Sequence, residues 1–380
     1  MTNRIFYGVA GEGLGHASRV LSIIGYLPEC EIHVFTFGKA YDFFKSLEYP
    51  HLHRIDGLMF AYCDGVVNYR RTLSNAVSYY FSGLSQNLDY IEQQAEELRP
   101  SLFITDFEPS VIRAAHTMGQ PVLSIDNQHK FVDCRAPSLP MYLQMYVMMT
   151  SPSVRTMVPS PTHSVVATFH ADCLETIHQD VTLTGGILRQ EIESHPVTND
   201  GFVLTYLRDS VSEQILSSLA GCGREVRVYG ASPEQRLMYR GQFRFFDLSP
   251  NFVHDLATCD RVIAPAGNQL ISECRYFQKP ILAIPEPGQY EQAVNAHYAE
   301  EIGLGSSCEV SQLSSDVVNT YISGFSCQSN RIPNGVHDVI RVIQTYLPDV
   351  FSVESQSGSG EDRLITLGNH HSDDPHLKMA

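Results

Sequence analysis

The sequence predicts an α/β protein made of two doubly wound domains. Two observations carry the prediction. Short β-branched or aromatic runs alternate with longer amphipathic stretches in the first half of the chain, and the same alternation restarts after residue 201. Strands that alternate with helices form parallel sheets with right-handed crossovers. A length of 380 residues also fits two domains.

The elements of the first half follow one another in a strand–helix order. Strands are predicted at Arg4–Val9, Glu31–Phe37, Ser101–Thr105 and Pro121–Ile125, and helices at Gly15–Leu27, Ala76–Leu98 and Pro109–Met118. The stretch Gly185–Gly201 that follows this half is polar and contains Gly and Pro, which is typical of a linker.

The second half repeats the same order. Strands are predicted at Phe202–Leu207, Glu225–Tyr229, Phe243–Phe246, Arg261–Ala264 and Pro280–Ile284, and helices at Val211–Ala220, Phe252–Thr258, Asn268–Phe277 and Tyr290–Ile302. The predicted organisation is an N-terminal domain (1–185), a linker (186–201), a C-terminal domain (202–333), a helix (334–350) and a disordered tail (351–380). For the helix at 334–350, packing back on the N-terminal domain is one option. The tail is predicted from its low apolar content and lack of any period.

The charge balance limits the partners. The chain has 26 Lys and Arg against 42 Asp and Glu, a formal net charge of −16. Such a surface repels phosphate backbones, so a general nucleic-acid binder is excluded, whereas one small anion held by backbone N–H groups is not. The sequence has no apolar run long enough for a membrane-spanning helix, and its N-terminus has no signal-peptide pattern. We therefore expect a cytoplasmic location.

A glycine loop joins the first strand to the first helix. It reads Gly11-Glu12-Gly13-Leu14-Gly15-His16. Glycines at a strand-to-helix turn let a ligand approach the backbone, and the helix N-terminus offers unpaired N–H groups. The loop departs from the dinucleotide fingerprint because His16 replaces the third glycine and no acidic residue closes the second strand. At a helix N-terminus His16 is expected to stay neutral and to act as a base; the alternative is a solvated histidine that borders the helix.

A second cluster follows the strand Arg261–Ala264. A helix is predicted to begin near Gly267 and Asn268, again at the carboxyl end of a strand, where α/β sheets bind ligands. Glu273, two turns further on, is placed to accept hydrogen bonds from the two hydroxyls of a ribose. Glu291, Gln292 and Asn295 open a further helix and are expected to face a sugar.

Three motifs together resemble those of a known family. They are the glycine loop, the pair Gly267-x-x-x-x-x-Glu273, and P-x-x-x-x-x-E-Q-x-x-N-A from Pro285 to Ala296. The chain resembles GT-B glycosyltransferases over nearly all of residues 1–348, and is similar to the peptidoglycan N-acetylglucosaminyltransferase and to the glycosyltransferase group 28 C-terminal domain family. The stretches TDFEPS (105–110) and SIDNQH (124–129) are similar to an uncharacterised bacterial and archaeal subgroup. The resemblance implies two Rossmann-like domains that face a central cleft.

The resemblance also implies roles for individual residues. The predicted donor-binding set is Gly13, Gly15, Arg208, Phe246, Gly267, Asn268, Glu273, Glu291 and Gln292. From the residues themselves, the acceptor-side set is predicted to be Glu12, Asn127 and His129, and for His129 the alternative is plain loop chemistry. Within the donor set, Gly267 and Asn268 correspond to the diphosphate region, and Phe246 lies in the segment that corresponds to the uracil-binding loop. Two departures affect the donor: Leu270 replaces a phosphate-binding Thr or Ser, and Leu207-Arg208-Asp209 replaces a second glycine loop. Arg208 is either a phosphate contact or a surface arginine.

The resemblance implies inverting transfer of a hexose or N-acetylhexosamine from a nucleoside-diphosphate sugar, UDP-linked by preference, to an acceptor hydroxyl. His16 is the expected base. Asp106 and Glu108 are alternative bases or residues that orient His16, or else solvated or capping carboxylates. No D-x-D motif is present, so we expect neither a metal nor a cofactor. The alternatives are a UDP-sugar 2-epimerase of the same fold and a non-catalytic nucleotide-sugar-binding protein.

The segment Leu139–Met149 leaves a membrane question open. It is dense in Met and Tyr and lies in the domain expected to hold the acceptor. It is interpreted either as a helix that lines the core or a pocket, or as a peripheral contact with the inner face of the membrane if the acceptor is lipid-linked. Partners are therefore expected to be a nucleotide sugar and a carbohydrate, lipid-linked or small-molecule acceptor.

Overall fold

The computed structural model describes residues 3–59, 62–63, 66–67, 69–208, 210–247 and 251–347. The predicted tail, 351–380, lies outside the described residues. Two all-parallel sheets form the framework, one of seven strands and one of six. The central strands of both sheets are buried on both faces, as their continuous apolar runs predict. The edge strands are partly exposed, namely Leu52–Arg54, Val181–Thr184, Phe243–Phe246 and Gly305–Ser307.

The first sheet has the order β11-β9-β7-β6-β1-β2-β3. The strands of this half, including two short antiparallel pairs (β4–β5 and β8–β10), are β1 (Asn3–Val9), β2 (Cys30–Thr36), β3 (Leu52–Arg54), β4 (Tyr62–Cys63), β5 (Val66–Val67), β6 (Leu102–Asp106), β7 (Val122–Asp126), β8 (Cys134–Arg135), β9 (His163–Ala167), β10 (Glu175–Thr176) and β11 (Val181–Thr184). Val9 pairs with both Thr36 and Asp106, so the carboxyl ends of β1, β2 and β6 lie at one level.

Helices cover both faces of the first sheet. They are α1 (Leu14–Ile24), α2 (Gly38–Ser46), α3 (Tyr69–Ser78), α4 (Leu84–Leu98), α5 (Pro109–Thr117), α6 (Lys130–Asp133), α7 (Met141–Met157) and α8 (Gln190–Ser194), with a π-helical turn at Tyr79–Gly83 and a 3₁₀ turn at Ala171–Cys173. On α7, Met141, Tyr142, Met145, Met148 and Met149 are exposed, whereas Leu143 is buried.

The second sheet has the order β14-β13-β12-β15-β16-β17. Its strands are β12 (Val203–Tyr206), β13 (Val226–Tyr229), β14 (Phe243–Phe246), β15 (Arg261–Pro265), β16 (Ile281–Ile284) and β17 (Gly305–Ser307). The helices around it are α9 (Ser212–Leu219), α10 (Pro233–Met238), α11 (Asn251–Thr258), α12 (Asn268–Phe277), α13 (Tyr290–Glu301) and α14 (Ser315–Gly324), with a 3₁₀ turn at Val310–Gln312.

The two halves contact each other extensively. One apolar cluster contains Leu143 and Phe169 from the first half together with the core around α11, α12 and α13. Arg275 of α12 forms a bidentate ion pair with Asp172, with two N–O distances of 2.7 Å. Tyr146 of α7 stacks on Tyr290 of α13 with ring centroids 4.3 Å apart. These contacts hold the carboxyl edges of the two sheets towards one another.

The predicted linker (186–201) and the predicted final helix both pack against the cores of the molecule. Between the sheets, residues 186–201 contain α8, whose Ile192 is fully buried in the shared cluster. The final helix, α15 (Val336–Tyr346), packs against α1 and β11, and its Val336, Val339 and Ile343 lie in the core of the first half. The chain therefore crosses back to the first half after completing the second.

Candidate active site

His16 lies at the carboxyl edge of the first sheet, in the first turn of α1. The helix is preceded by Gly13, whose extended backbone provides no side-chain cap. The Nδ1 atom of His16 lies 2.8 Å from Oδ1 of Asp106, the last residue of β6. The His16 side chain is 18% exposed, whereas Asp106 is fully buried. The buried carboxylate of Asp106 thus holds the partly exposed imidazole of His16 in position.

Arg19 completes this cluster from the next turn of α1. Its Nε lies 2.8 Å from Oδ2 of Asp106 and its Nη2 lies 2.6 Å from Oδ1, a bidentate pair. Burial alone would lower the pKa of Arg19, but the Asp106 carboxylate outweighs burial and raises it. The charge of Asp106 is therefore balanced within the cluster rather than by solvent.

The proton positions follow from these contacts. The Nη2 atom of Arg19 also lies 3.0 Å from Nδ1 of His16, but it already donates to Asp106 over a shorter distance. An unprotonated Nδ1 would direct its lone pair at the Asp106 carboxylate 2.8 Å away, which is repulsive, so Nδ1 of His16 carries the proton and donates to Asp106. This tautomer leaves the lone pair of Nε2 available to accept a proton.

Two helices begin without a side-chain cap, α1 after β1 of the first sheet and α12 after β15 of the second sheet. Neither α1 nor α12 has a side-chain cap or an acidic residue in its first turn. At Gly15 and Gly267 the space that a Cβ would point into is empty to 4 Å. A helix N-terminus with open space and no competing carboxylate is suited to an anion such as a diphosphate.

The glycine loop is anchored at its first residue. The carbonyl oxygen of Gly11 accepts from the N–H groups of Lys39 and Ala40 at the start of α2, at 2.9 and 3.4 Å. A Cβ on Gly11 would lie 2.1 Å from the backbone oxygen of Phe37. Glycine is therefore required at this position by the close approach of two backbones.

Arg208, from the second half, reaches the glycine loop. Its Nη2 atom lies 3.7 Å from the position of a Cβ on Gly13. Its Nη1 atom donates to Glu286 at 2.9 Å, and Ser210 and Gln292 bind the same carboxylate at 2.6 and 2.7 Å. The Arg208 side chain is 44% exposed, so the structure leaves open both a phosphate contact beside the loop and a surface arginine.

A polar bridge crosses from the first half to α13. Asn127 donates to Glu291 at 2.6 Å, and Gln128 donates to the same carboxylate at 3.3 Å. The ammonium of Lys130 lies 3.0 Å from Oδ1 of Asn127 and 2.8 Å from Oδ1 of Asn295. Burial lowers the pKa of Lys130 to about 8. The bridge brings predicted donor and acceptor residues into direct contact.

A cavity of about 470 Å³ lies next to this bridge, between the first half and α13. Lys130, Leu139, His170 and Tyr298 are among its lining residues. His170 Nδ1 is 2.9 Å from Thr168 Oγ1, which donates to Asn268 Oδ1 at 3.0 Å. Because the one Thr168 proton goes to Asn268, His170 donates from Nδ1 and keeps an acceptor at Nε2, which has no partner in the described part of the chain.

Glu108 does not face the cleft, which corrects the prediction of a catalytic role. It is the N-cap of α5, and its two oxygens accept from the N–H groups of Ser110 and Val111 at 2.7 and 2.8 Å. The side chain is fully buried, and burial raises its pKa. Both oxygens satisfy helix N–H groups that would otherwise be buried without partners. Glu108 is a capping residue.

Glu273 is also placed differently from the prediction. Its carboxylate is 1% exposed and accepts from Arg189 at 2.9, 3.0 and 3.1 Å. The carboxylate is therefore already paired, whereas the prediction required it to be free for a ribose. Ribose binding at Glu273 stays a prediction that requires Arg189 to give up a contact.

His129 and Gln292 are buried at 2% and 5% exposure. His129 Nδ1 lies 2.7 Å from Asp126 Oδ2, and its backbone N–H donates to Asp126 Oδ1. Burial would lower the pKa of His129, but Asp126 raises it. This histidine stabilises the turn after β7 and does not face an acceptor, which corrects that expectation. Gln292 bonds both the backbone N–H and the carboxylate of Glu286, so it positions Glu286.

The remaining predicted residues lie at the edges of the cleft. Glu12 is half-buried in the glycine loop. Phe246, at the carboxyl end of β14, stacks on Tyr229 and lines a separate cavity of about 400 Å³ next to α11. Residues 248–250 of the segment predicted to bind uracil lie outside the described residues.

Sequence reasoning missed four residues of this site: Arg19, Lys130, Arg189 and Glu286. Two of them carried a signal. Arg19 lies three residues after His16, which places both on one face of a helix, and Glu286 follows a strand at its carboxyl end. Lys130 and Arg189 carried none, because the second-half residues that they contact, Asn295 and Glu273, are 165 and 84 residues away.

Two parallel sheets that face each other with their carboxyl edges are the architecture of the GT-B fold of glycosyltransferases. Here a histidine–carboxylate pair lies on one sheet and an open helix N-terminus follows a strand of the other. A profile of glycosyl transferase family 1 matches residues 3–325, and the chain belongs to that family. Among the described residues, no helix is both long enough and apolar enough to cross a membrane.

Solved structures share the fold at low sequence identity. The calicheamicin glycosyltransferase CalG4 matches with a TM-score of 0.64 and 14% identity, over 92% of this chain and 100% of that one. The MurG protein of Acinetobacter baumannii matches with a TM-score of 0.57 and 14% identity, over 90% and 99%. UGT89C1 of Arabidopsis thaliana, solved with UDP-L-rhamnose, matches with a TM-score of 0.56 and 12% identity, over 93% and 96%.

A curated relative matches more closely over a short stretch. An uncharacterised glycosyltransferase of Methanosarcina acetivorans is 44% identical over 59 residues. That stretch covers 14% of this chain and 16% of the relative.

Proposed function

We propose that the protein transfers a hexose or N-acetylhexosamine from a nucleoside-diphosphate sugar, UDP-linked by preference, to an acceptor hydroxyl with inversion. The observation that carries the proposal is the contact between His16 and Asp106 at the uncapped N-terminus of α1. His16 can accept a proton, and the N–H groups of α12, which is also uncapped, can bind the leaving diphosphate. These are the two requirements of glycosyl transfer.

The proposed step begins at Nε2 of His16. This atom takes the proton of the acceptor hydroxyl while the hydroxyl oxygen attacks the anomeric carbon. The bond from that carbon to the diphosphate oxygen breaks, and its electron pair leaves with the diphosphate, so the configuration inverts. The resulting imidazolium is stabilised by Asp106, which receives the Nδ1 hydrogen bond.

The leaving diphosphate is proposed to lie at the N-terminus of α12. Negative charge on its oxygens increases in the transition state, so N–H groups fixed there stabilise that state preferentially. Arg208 is proposed to add a charge-assisted contact from beside Gly13. With these donors the reaction proceeds without a metal. VinC, which was solved with dTDP, matches the fold with a TM-score of 0.56 and 12% identity, and this likeness supports a nucleoside diphosphate as the leaving group.

The donor sugar and the acceptor are proposed to meet at the bridge between Asn127 and Glu291. A carboxylate at the start of α13 is suited to bind sugar hydroxyls, and Asn127 holds it from the first half. The acceptor approaches from the side of the glycine loop, where Glu12 is half-buried and the ring of His16 is partly exposed.

We also propose a peripheral contact between α7 and an apolar acceptor or a lipid surface. Met145 and Met148 are 54% and 69% exposed on this helix. Flotation with liposomes of neutral phospholipid tests the contact. We expect Met145→Gln with Met148→Gln to reduce the bound fraction, whereas equal flotation of the variant and the parent chain would contradict it.

The experiment that tests the transfer is a thermal-shift screen followed by turnover. UDP, GDP, dTDP and their sugars are added to the full chain, and a nucleoside diphosphate that binds the native state raises its melting temperature. With the donor found, His16→Ala should lower kcat 10²–10⁴-fold with little change in the donor Kd.

The matched control is His178→Asn, an exposed histidine. Stabilisation by none of the nucleotides would contradict the proposal. So would a rearranged or hydrolysed donor sugar formed at full rate without any acceptor, which is the result expected of an epimerase. Equal kcat for His16→Ala and His178→Asn would exclude His16 as the base.

A further inference from the structure

A second group of polar side chains lies on the first sheet, away from the cleft. Glu31 and His33 are two residues apart on β2 and therefore share one face of the sheet. His51 lies beside His33, because Val34 pairs with Leu52 and its N–H donates to the carbonyl of His51 at 2.8 Å. The register of two parallel strands thus places two imidazoles and a carboxylate together.

The distances within the group fit a metal ion. The ligand atoms of Glu31, His33 and His51 all lie within 4.8 Å of one another. The Nε2 atom of His33 is 2.8 Å from Oε1 of Glu31, and the rings of His33 and His51 have centroids 4.7 Å apart. Zinc binds imidazole nitrogen and carboxylate oxygen at about 2.0–2.2 Å in tetrahedral geometry. Small side-chain rotations therefore bring all three atoms to one ion.

The neighbours of the group resemble the supporting shell of a metal site. Nδ1 of His33 lies 2.9 Å from Nε2 of His53, whose Nδ1 lies 2.8 Å from the hydroxyl of Tyr90. Arg4 donates to Glu31 at 2.7 Å. Metal-bound histidines commonly donate their other ring N–H to a nearby acceptor, as Nδ1 of His33 can to Nε2 of His53, and this hydrogen bond fixes the ring and the tautomer.

The histidines can reach the metal-binding tautomer without losing a proton. With no ion, Tyr90 donates to His53, His53 to His33, and His33 from Nε2 to Glu31. Reversing this chain places a proton on Nδ1 of His33 and frees Nε2 for an ion.

We propose that Glu31, His33 and His51 bind one divalent transition-metal ion of the zinc class, with the fourth position open to water. Two imidazoles and one carboxylate suit zinc, whereas calcium and magnesium prefer sets of oxygen atoms. Glu31 is 24% exposed, which gives the ion access. His33 precedes Thr36, at the edge of the cleft, by three residues or about 10 Å, so the ion is separate from the transfer site.

Metal binding to the full-length chain tests the site. The parent is the His370→Gln, His371→Gln variant, because that histidine pair lies outside the described residues and could bind metal itself. Zinc is added in a calorimetric titration without nucleotide, and Co²⁺ is used as a spectroscopic probe. We expect one Zn²⁺ per chain and visible d–d absorption from Co²⁺. His51→Asn and Glu31→Gln should each weaken Zn²⁺ binding by at least about tenfold.

The matched control is His178→Asn in the same parent, which should bind as the parent does. The unliganded melting temperature shows that each variant is folded. UDP affinity should be unchanged in His51→Asn, so failure of the metal site and failure of the proposed transfer are distinguishable. The absence of stoichiometric Zn²⁺ binding in the parent would overturn the proposal. Equal Zn²⁺ affinity in His51→Asn, Glu31→Gln and His178→Asn would overturn it as well.

Discussion

Arg19 holds both oxygens of the fully buried Asp106, and both residues lie directly beneath the imidazole of His16. This ion pair therefore supports the fold and the candidate base at once. Replacing Arg19 tests what the ion pair contributes to stability, and replacing Asp106 tests what it contributes to catalysis.

Arg19→Gln should strongly destabilise the protein. The change leaves the Asp106 carboxylate buried without its cation, and breaking a buried pair costs about 3–5 kcal/mol. Urea denaturation measures the free energy of unfolding, and Arg155→Gln, an exposed arginine, serves as the control. A loss below 1 kcal/mol for Arg19→Gln would show that solvent, rather than Arg19, balances the charge.

Asp106→Asn should reduce turnover and also lower the stability, because Arg19 is then buried without its counter-charge, so turnover is measured well below the melting temperature of the variant. The amide can donate to Nδ1 of His16, which moves the imidazole proton to Nε2 and removes the acceptor needed for the reaction. We expect kcat to fall about 10²–10⁴-fold with a nearly constant donor KM. Asp180→Asn, an exposed carboxylate, is the control, and an unchanged kcat in Asp106→Asn would contradict the assigned tautomer.

Replacing Arg189 should lower the free energy of unfolding more than replacing its partner Glu273. Glu273 is 1% exposed and Arg189 is 28% exposed. Arg189→Gln strands a buried carboxylate, whereas Glu273→Gln leaves an arginine that can be hydrated and can still donate to the amide oxygen. We expect losses of about 3 and about 1 kcal/mol, and urea denaturation of both single variants and the double variant gives the coupling. Equal losses would mean that the pair is hydrated in solution.

Lys130 should make stability depend on pH in the alkaline range. Its pKa is about 8 in the folded protein against an ordinary 10.5, with burial as the main cause. The unfolded chain therefore binds more protons between pH 8 and pH 10.5, so the penalty present below pH 8 is relieved as the pH rises. The 2.5-unit shift corresponds to about 3 kcal/mol.

The measurement compares the parent with Lys130→Met by urea denaturation at several pH values. The difference in unfolding free energy should move in favour of the parent from pH 8 upwards. Lys39→Met, an exposed lysine, should show a flat difference. A flat difference for Lys130→Met as well would show that the ammonium is solvated.

The alternation of apolar runs predicted most of both sheets correctly. Runs such as Ile281–Ile284 are buried on both faces, and burial on both faces is what makes a parallel strand visible in a sequence. The ends of the predicted strands agree with the structure to within one residue. The strands His163–Ala167 and Val181–Thr184 were not predicted, because they are short and contain His and Thr, which are equally compatible with a loop.

The candidate site was predictable where it depended on sheet geometry. His16 and Asp106 follow two strands that are neighbours in the sheet, so their contact follows from the topology. The partner of Glu273 was not predictable, because nothing in the local sequence distinguishes a carboxylate that faces a ribose from one that faces an arginine 84 residues away. Glu108 was ambiguous for a similar reason, since capping and catalysis use the same residue type at a strand end.

The anchoring of Gly11 to the start of α2 has a consequence for the energetics of binding. A mobile glycine loop loses conformational entropy when a ligand orders it, and that loss subtracts from affinity. Here two main-chain hydrogen bonds within the protein itself fix the first residue of the loop. The loop is thus preorganised at its base, and substrate affinity is reduced little by ordering there.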